Sequence, residues 1–428
     1  MPPDLEVKQP RERNWLLELN QGERTTLIAT FSGWMLDGMN VMVYSFAMPA
    51  LILLWHITKS QAGWLGTSAL LLSSLGGWLA GLAADRWGRV RVLNWTIVWF
   101  AVFTFLSGCT SNFSQLFILR GIQGLGFGGE WAVGSVLIGE KIRARFRGRA
   151  VGTTQSAWAI GWAIAAVFYV IVFRLFPPAI AWRAMFWVGL LPAPLALWIQ
   201  RHVEEPEVFE RARKQQSTGS GTHFLKIFAP AMLRTTMLAS LVALGAQGGY
   251  YAVNTFLPLY LQARGLSVSS TGAYLIVVIA GSFSGYMTSA HFCDWIGRKW
   301  TLALFAIGSF LAIAAYMTLP IGNGATLLLG FPLGFFPAGS FSPMGSFFTE
   351  LFPTSLRGSG QGFSYNFGRG IGALFPTLVG YFSARMPLGR AIAIFAVSAY
   401  VVMVLSVLLL PETRGRELAE VDRILHDR

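Results

Sequence analysis

The 428-residue chain is 54% hydrophobic and only 12% charged, with 33 Phe and 16 Trp. Soluble domains run near ~25% charged, so these proportions exclude an ordinary soluble enzyme and predict an all-α polytopic membrane protein. The formal charge of +13 does not argue for nucleic acid, because the basic residues fall in short clusters between apolar spans.

The first segment, 1–26, is polar and mixed in charge, unlike a cleavable signal peptide. Six apolar spans follow, near 27–54, 62–84, 92–110, 114–140, 149–175 and 182–200, and make up an N-terminal half over 27–200. A charged connector bearing Ser and Gly occupies 201–231. Six more spans, near 232–261, 269–292, 300–319, 325–349, 358–382 and 388–410, form a C-terminal half over 232–410, and a polar tail closes the chain at 411–428. Six spans, a connector and six spans is the outline of a duplicated transporter.

Lys and Arg set the orientation. With the N-terminus inside, Arg86, Arg89, Arg91, Lys141, Arg143, Arg145, Arg147, Arg149, Arg298, Lys299 and Arg357 all face inward. Only Lys59, Arg174, Arg183, Arg264, Arg385 and Arg390 face outward. The positive-inside rule therefore predicts a multi-pass inner-membrane protein with both termini cytoplasmic.

The two halves repeat one loop. GLAADRWGRVR follows the second span and AHFCDWIGRKW the eighth. Asp85 and Asp294 can accept hydrogen bonds at a helix start, Gly88 and Gly297 permit tight turns, and Arg86, Arg89 and Arg298 can pair with acids nearby. The repetition predicts a conformational latch; a plain basic loop with a glycine turn is the alternative.

The fourth span, SQLFILRGIQGLGFGGEWAVGSVLIGE, carries Arg120 and Glu130 with five glycines between them, at 121, 124, 126, 128 and 129. A charge at the bilayer centre costs at least ~2.5–3.5 kcal/mol, so each should face protein or a wet cavity. Ten residues separate them by roughly 15 Å along the helix and about 80° around it. Each should therefore find a partner on another helix, and Asp37 of the first span is a candidate for either. Glu140 sits at the inner end beside Lys141, as a solvated or latch residue.

These residues carry a family resemblance. GLAADRWGRVR resembles the loop signature of the major facilitator superfamily, RGIQGLGFGG its fourth-helix motif, and PETRGREL the ending of its sugar and metabolite porters. FSGWMLDGMN, GFGGEWAVGSVLIGE and ELFPTSLRGSGQGFSYNFGRGIGA are similar to the metabolite:proton symporters, within them to the sialate and lactate transporter group, and more distantly to the aromatic-acid:proton symporters. The resemblance implies two six-helix halves that rock about a central site, importing a small organic anion with a proton. The related first-helix pattern is D-G-x-D; Asp37 and Gly38 match it, and Asn40 stands at the second acid.

For the site, burial disfavours an ionised carboxylate while a neighbouring Arg favours it, so Asp37 and Glu130 are the expected proton-coupling groups. Arg120 and Arg369 are the expected anion receptors, since a guanidinium presents a planar fork to a carboxylate. Asn40 and Asn366 lie near these residues on their own helices. Gln155, Trp158 and Trp162 recur at helical spacing in span five, and Gln247, Tyr250, Tyr251 and Asn254 in span seven, where aromatic rings with polar edges suit an organic acid. Ordinary interhelical packing is the alternative for all of them.

Two cysteines, Cys109 and Cys293, make no metal or disulfide framework. No metal or cofactor is expected, nor a nucleic-acid partner, and no Walker A, G-x-S-x-G or H-E-x-x-H motif points to an enzyme. The expected partners are substrate, proton and lipid, and the chain is expected to be monomeric. A proton-driven exporter of drugs or aromatic compounds and a non-transporting membrane sensor are the rival functions.

Overall fold

The computed structural model describes residues 15–205, 224–353 and 356–414. A single turn at Trp15–Glu18 leads into α1 (Gln21–Trp55), whose start is fixed by a capping box between Asn20 and Glu23. Then come α2 (Lys59–Trp87), α3 (Arg89–Ser107), α4 (Phe113–Lys141), α5 (Ala144–Leu175), α6 (Pro178–Trp187) and α7 (Pro192–His202). The second half holds α8 (Pro230–Ala263), α9 (Val268–Trp295), α10 (Arg298–Thr318), α11 (Asn323–Gly339), α12 (Ser342–Leu351), α13 (Arg357–Gly372), α14 (Phe375–Phe382) and α15 (Leu388–Leu409).

Twelve spans emerge, but spans six, ten and eleven are each built from two helices. Pro192, Pro343 and Pro376 stand in the first turn after each break, where a missing N–H and fixed φ favour a new helix start over a continuing one. Nine spans among the described residues are long and apolar enough to cross a membrane. The other three, spans four, seven and eleven, carry Arg120 and Glu130, Gln247 and Tyr250, and Arg369.

The halves repeat each other in packing. α2 packs on α4 as α9 does on α11; α1 on α5 as α8 does on α13; α3 on α7 as α10 does on α15. Between halves, α5 meets α9, α2 meets α13 and α14, and α1 meets α8. The span-four glycines explain the closest of these seams. A Cβ on Gly124 would strike the carbonyl of Ala69, and one on Gly128 that of Ser73, so α2 and α4 touch backbone to backbone.

The face carrying the basic clusters is organised by two carboxylates. Gly88 and Gly297 adopt φ +106° and +101°, a region open to glycine, and turn the chain into α3 and α10. Glu205 accepts the N–H groups of Arg89 at 2.8 Å and Val90 at 2.9 Å, and Glu412 that of Arg298 at 3.0 Å. An acid at a helix N-terminus satisfies orphan donors and meets the positive end of the dipole. Arg89 and Arg298 each reach back to a carbonyl five residues earlier, Ala84 and Cys293, and Arg298 also pairs with Glu350 at 3.2 Å. Arg86 is exposed and lies over the ring of Trp87. The side chains of Asp85, Glu140 and Asp294, the connector over 206–223 and the tail over 415–428 lie outside the described residues.

Gly124→Ala or Gly128→Ala forces α2 from α4 and is expected to cost about 1–3 kcal/mol. Gly81→Ala, on the same helix as Ala69 and Ser73 but with open space at its Cβ, is expected to be neutral or stabilising. Thermal unfolding of the purified variants checks this, and equal midpoints for all three would refute the backbone seam.

Candidate functional site

Asp37 sits at the middle of α1, 1% exposed. Glu130 reaches it from α4, and the two carboxyl groups lie close enough to interact directly. Such a contact needs one proton between its members, because two carboxylates this close repel strongly. Gly33, one turn before Asp37, makes the berth: a Cβ there would overlap Glu130 Oε1. Trp34 covers the pair, its ring 4.5 Å from that of Trp131 and 5.0 Å from that of Trp158. Asp37 Oδ2 and Glu130 Oε1 are buried without a hydrogen-bond partner among the described residues. A void of about 10 Å³ beside Glu130 is lined by Trp34 and Thr154, whose Nε1 and Oγ1 are also unpartnered. That space and polarity suit one water.

The second half supplies the cation. Arg369 lies in the last turn of α13, where the helix dipole favours positive charge. Its Nε donates to Gln247 Oε1 at 3.2 Å and its Nη2 to Tyr365 Oη at 3.4 Å. Gln247 in turn donates to the Tyr365 carbonyl at 3.0 Å and accepts from Tyr251 Oη at 3.3 Å. The guanidinium stands 5.2 Å from the ring centre of Phe127, one turn before Glu130 on α4, and Asp37 attracts it through space. Trp158 Nε1 donates to Tyr250 Oη at 2.8 Å, a hydrogen bond between the halves.

Arg120 forms a separate station. It is 4% exposed, donates to Leu65 O at 3.4 Å and Gln123 Oε1 at 2.9 Å, and stacks over Tyr44 at 4.6 Å. No ion pair to it forms among the described residues. Arg120, Tyr44 and Gln123 face Tyr251, Asn254 and Thr255 of α8 across a cavity of about 30 Å³, room for about one water. Toward the face opposite the basic one the halves are sealed: Thr67 Oγ1 bonds the Ala373 carbonyl at 2.5 Å and Thr377 Oγ1 at 2.8 Å, and Arg174 bonds Ser269 at 3.0 Å.

Four expected residues thus gather at the centre, Asp37, Glu130, Arg369 and Gln247, with Trp158, Tyr250 and Tyr251 around them. Asn254 joins Arg120 at its own level. Asn40 departs from expectation. Three residues beyond Asp37 it is turned about 60° around the helix, and its Nδ2 points at Gly189 O, 3.5 Å away in span six. Asn366 bonds Gly362 O in its own helix and rests against Gly77 of α2, at the seam between halves rather than in the cavity. Gln155 is buried, and Trp162 belongs to the packed core.

Sequence reasoning passed over Gly33, Trp34, Phe127, Tyr44, Gln123 and the capping acids Glu205 and Glu412. Trp34 and Phe127 were visible as residues three before Asp37 and Glu130, hence near the same face. Glu350 could have been found as the repeat of Glu140.

Residues 30–376 match the Major Facilitator Superfamily. The chain is 41% identical over 401 residues to a probable 4-methylmuconolactone transporter of Cupriavidus pinatubonensis, covering 94% of this chain and 93% of that one. It is 30% identical to the sialic acid transporter NanX of Escherichia coli, covering 92% and 95%. Among solved structures, the proton:xylose symporter XylE bound to 6-bromo-6-deoxy-D-glucose superposes with a TM-score of 0.74 at 21% identity, covering 94% of this chain and 99% of that one; that likeness bears on fold alone. It is a multi-pass transporter rather than an enzyme, and the chain belongs to the major facilitator superfamily.

Proposed function

We propose that this protein imports a small organic acid as its carboxylate, together with a proton, by alternating access. The observation that carries the reading is the buried Asp37–Glu130 carboxyl pair in the first half, with Arg369 near it from the other half. With one proton on the pair, the centre holds one negative and one positive charge and is neutral. Arrival of a carboxylate at Arg369 adds a negative charge, and a second proton on the pair restores neutrality. An unbalanced charge at this depth costs at least ~2.5–3.5 kcal/mol, so cargo and proton move together and the empty carrier returns neutral.

The remaining residues have parts in this cycle. Arg120, without a carboxylate partner, draws the anion toward the centre, and Gln247 and Tyr365 hold the Arg369 fork ready for it. Tyr250, Tyr251 and Trp158 offer ring faces and polar edges to the cargo. The void at Glu130, Trp34 and Thr154 gives the proton a relay water. Because the cavity has room for about one water, cargo enters only when the halves, 27–200 and 232–410, part. The glycine turns at Gly88 and Gly297, with Arg89, Arg298 and their capping acids, form the latch that swaps with the Thr67–Thr377 seal. The basic face is cytoplasmic, in the inner membrane, and one chain suffices. The cargoes named for the relatives, a muconolactone and a sialic acid among them, support an organic acid as substrate.

Asp37→Asn is expected to abolish accumulation of 4-methylmuconolactone, used as probe, driven by an imposed pH gradient in proteoliposomes, while substrate exchange survives. Unchanged accumulation would remove Asp37 from coupling. Arg369→Lys keeps the charge but not the planar fork. Losing one charge-assisted bond is worth about 1.5–3 kcal/mol, so KM for the carboxylate is expected to rise about 10-fold to 100-fold; initial uptake rates against concentration measure this, and a wild-type KM would place the carboxylate elsewhere.

A further inference from the structure

A groove of about 600 Å³ runs along the outer surface of the first half, between α3 and α7. It begins at the basic face with Arg91, Asn94 and Gln200 and continues between Val98, Val102 and Leu197. From Arg91 to its far end at Phe103 it covers twelve residues of α3, roughly 18 Å, which exceeds half of a hydrocarbon core about 30 Å thick. The groove therefore opens to the lipid of one leaflet, polar at the headgroup level and apolar below.

Among the described residues, the side chains at its polar end are short of protein partners. Asn94 is only 8% exposed, yet its Oδ1 has no hydrogen-bond partner among the described residues. The side chains of Arg91 and Gln200 are exposed. Glu205, at the same end, already has its carboxylate committed to backbone N–H groups of α3. The internal repeat makes the contrast sharper. Taking Arg89 as the match of Arg298, the equivalents of Arg91 and Asn94 are Trp300 and Ala303; taking Glu205 as the match of Glu412, that of Gln200 is Val407. There the seam between α10 and α15 is bridged by Lys299 donating to Leu408 O at 2.8 Å. The fold thus does without this polar triad in one half; in the other, Arg91 and Gln200 are exposed at the groove and Asn94 is buried in its wall.

We propose that the groove between α3 and α7 binds an anionic glycerophospholipid such as phosphatidylglycerol, with its phosphate on Arg91, its glycerol hydroxyls and esters on Asn94 and Gln200, and an acyl chain between Val98, Val102 and Leu197. A cation at the interface recognises the phosphate, and the ligand's donors and acceptors satisfy an amide that apolar surroundings leave bare.

The test uses the full chain in detergent, with phosphatidylglycerol, phosphatidylcholine, glycerophosphoglycerol and inorganic phosphate as probes. Phosphatidylglycerol is expected to raise Tm, and this rise is lost in the Arg91→Ala/Asn94→Ala double variant but kept in Arg234→Ala, which removes an exposed arginine elsewhere. An equal rise in the double variant, or the same rise from phosphatidylcholine, from the chainless headgroup or from phosphate, would overturn the proposal. Should the double variant fail to fold, wild-type protein photolabelled by phosphatidylglycerol with a diazirine near the end of its acyl chain decides. Labelling within residues 94–103 or 195–200 supports the site; labelling only elsewhere overturns it.

Discussion

A close approach of two buried acids, Asp37 and Glu130, governs the interior of this protein. Buried in a bundle set in lipid, the pair needs one proton to exist as a contact and one cation nearby to leave the centre neutral. Arg369 is that cation, and it comes from the other half of the chain. The neighbours can be read as consequences. Gly33 clears the space for Glu130, and Trp34, Trp131 and Trp158 cover the pair. Gln247 and Tyr365 occupy the donors of Arg369, which would be costly to leave bare in a low dielectric.

Duplication accounts for the frame around that centre. Each helix pairing in one half has its counterpart in the other, down to the left-handed glycine and the carboxylate that caps the next helix. The centre breaks the symmetry. The carboxyl pair belongs to one half and the arginine with its amide partner to the other, so their attraction acts across the surface where the halves meet. In the proposed cycle, a charge exchange there, cargo for shared proton, would be coupled to movement by position alone.

Much of this was legible in the chain. Asp37, Arg120, Glu130 and Arg369 stood out because ions are expensive inside apolar runs, and the glycines of span four announced a close helix seam. The partners were less visible. Helical geometry argued against a direct Arg120–Glu130 contact, but only tertiary packing decides that Glu130 meets Asp37 while Arg120 has no acid beside it among the described residues. Asn40 shows the limit of face arguments: a 60° offset was enough to turn it from the centre to span six. The breaks in spans six, ten and eleven were hidden because proline is tolerated in some membrane helices, as at Pro49 and Pro258, and ends others. Glu205 and Glu412 lie beyond the apolar spans, where hydropathy says nothing of caps.

The account stands on the exchange of charge at Asp37, Glu130 and Arg369, and proton uptake on binding reads it directly. Purified protein in weakly buffered solution, mixed with 4-methylmuconolactone and followed with a pH indicator, is expected to take up about one proton per bound carboxylate, and an Asp37→Asn/Glu130→Gln variant none. Binding without proton uptake by the wild type, or undiminished uptake by the variant, would contradict it.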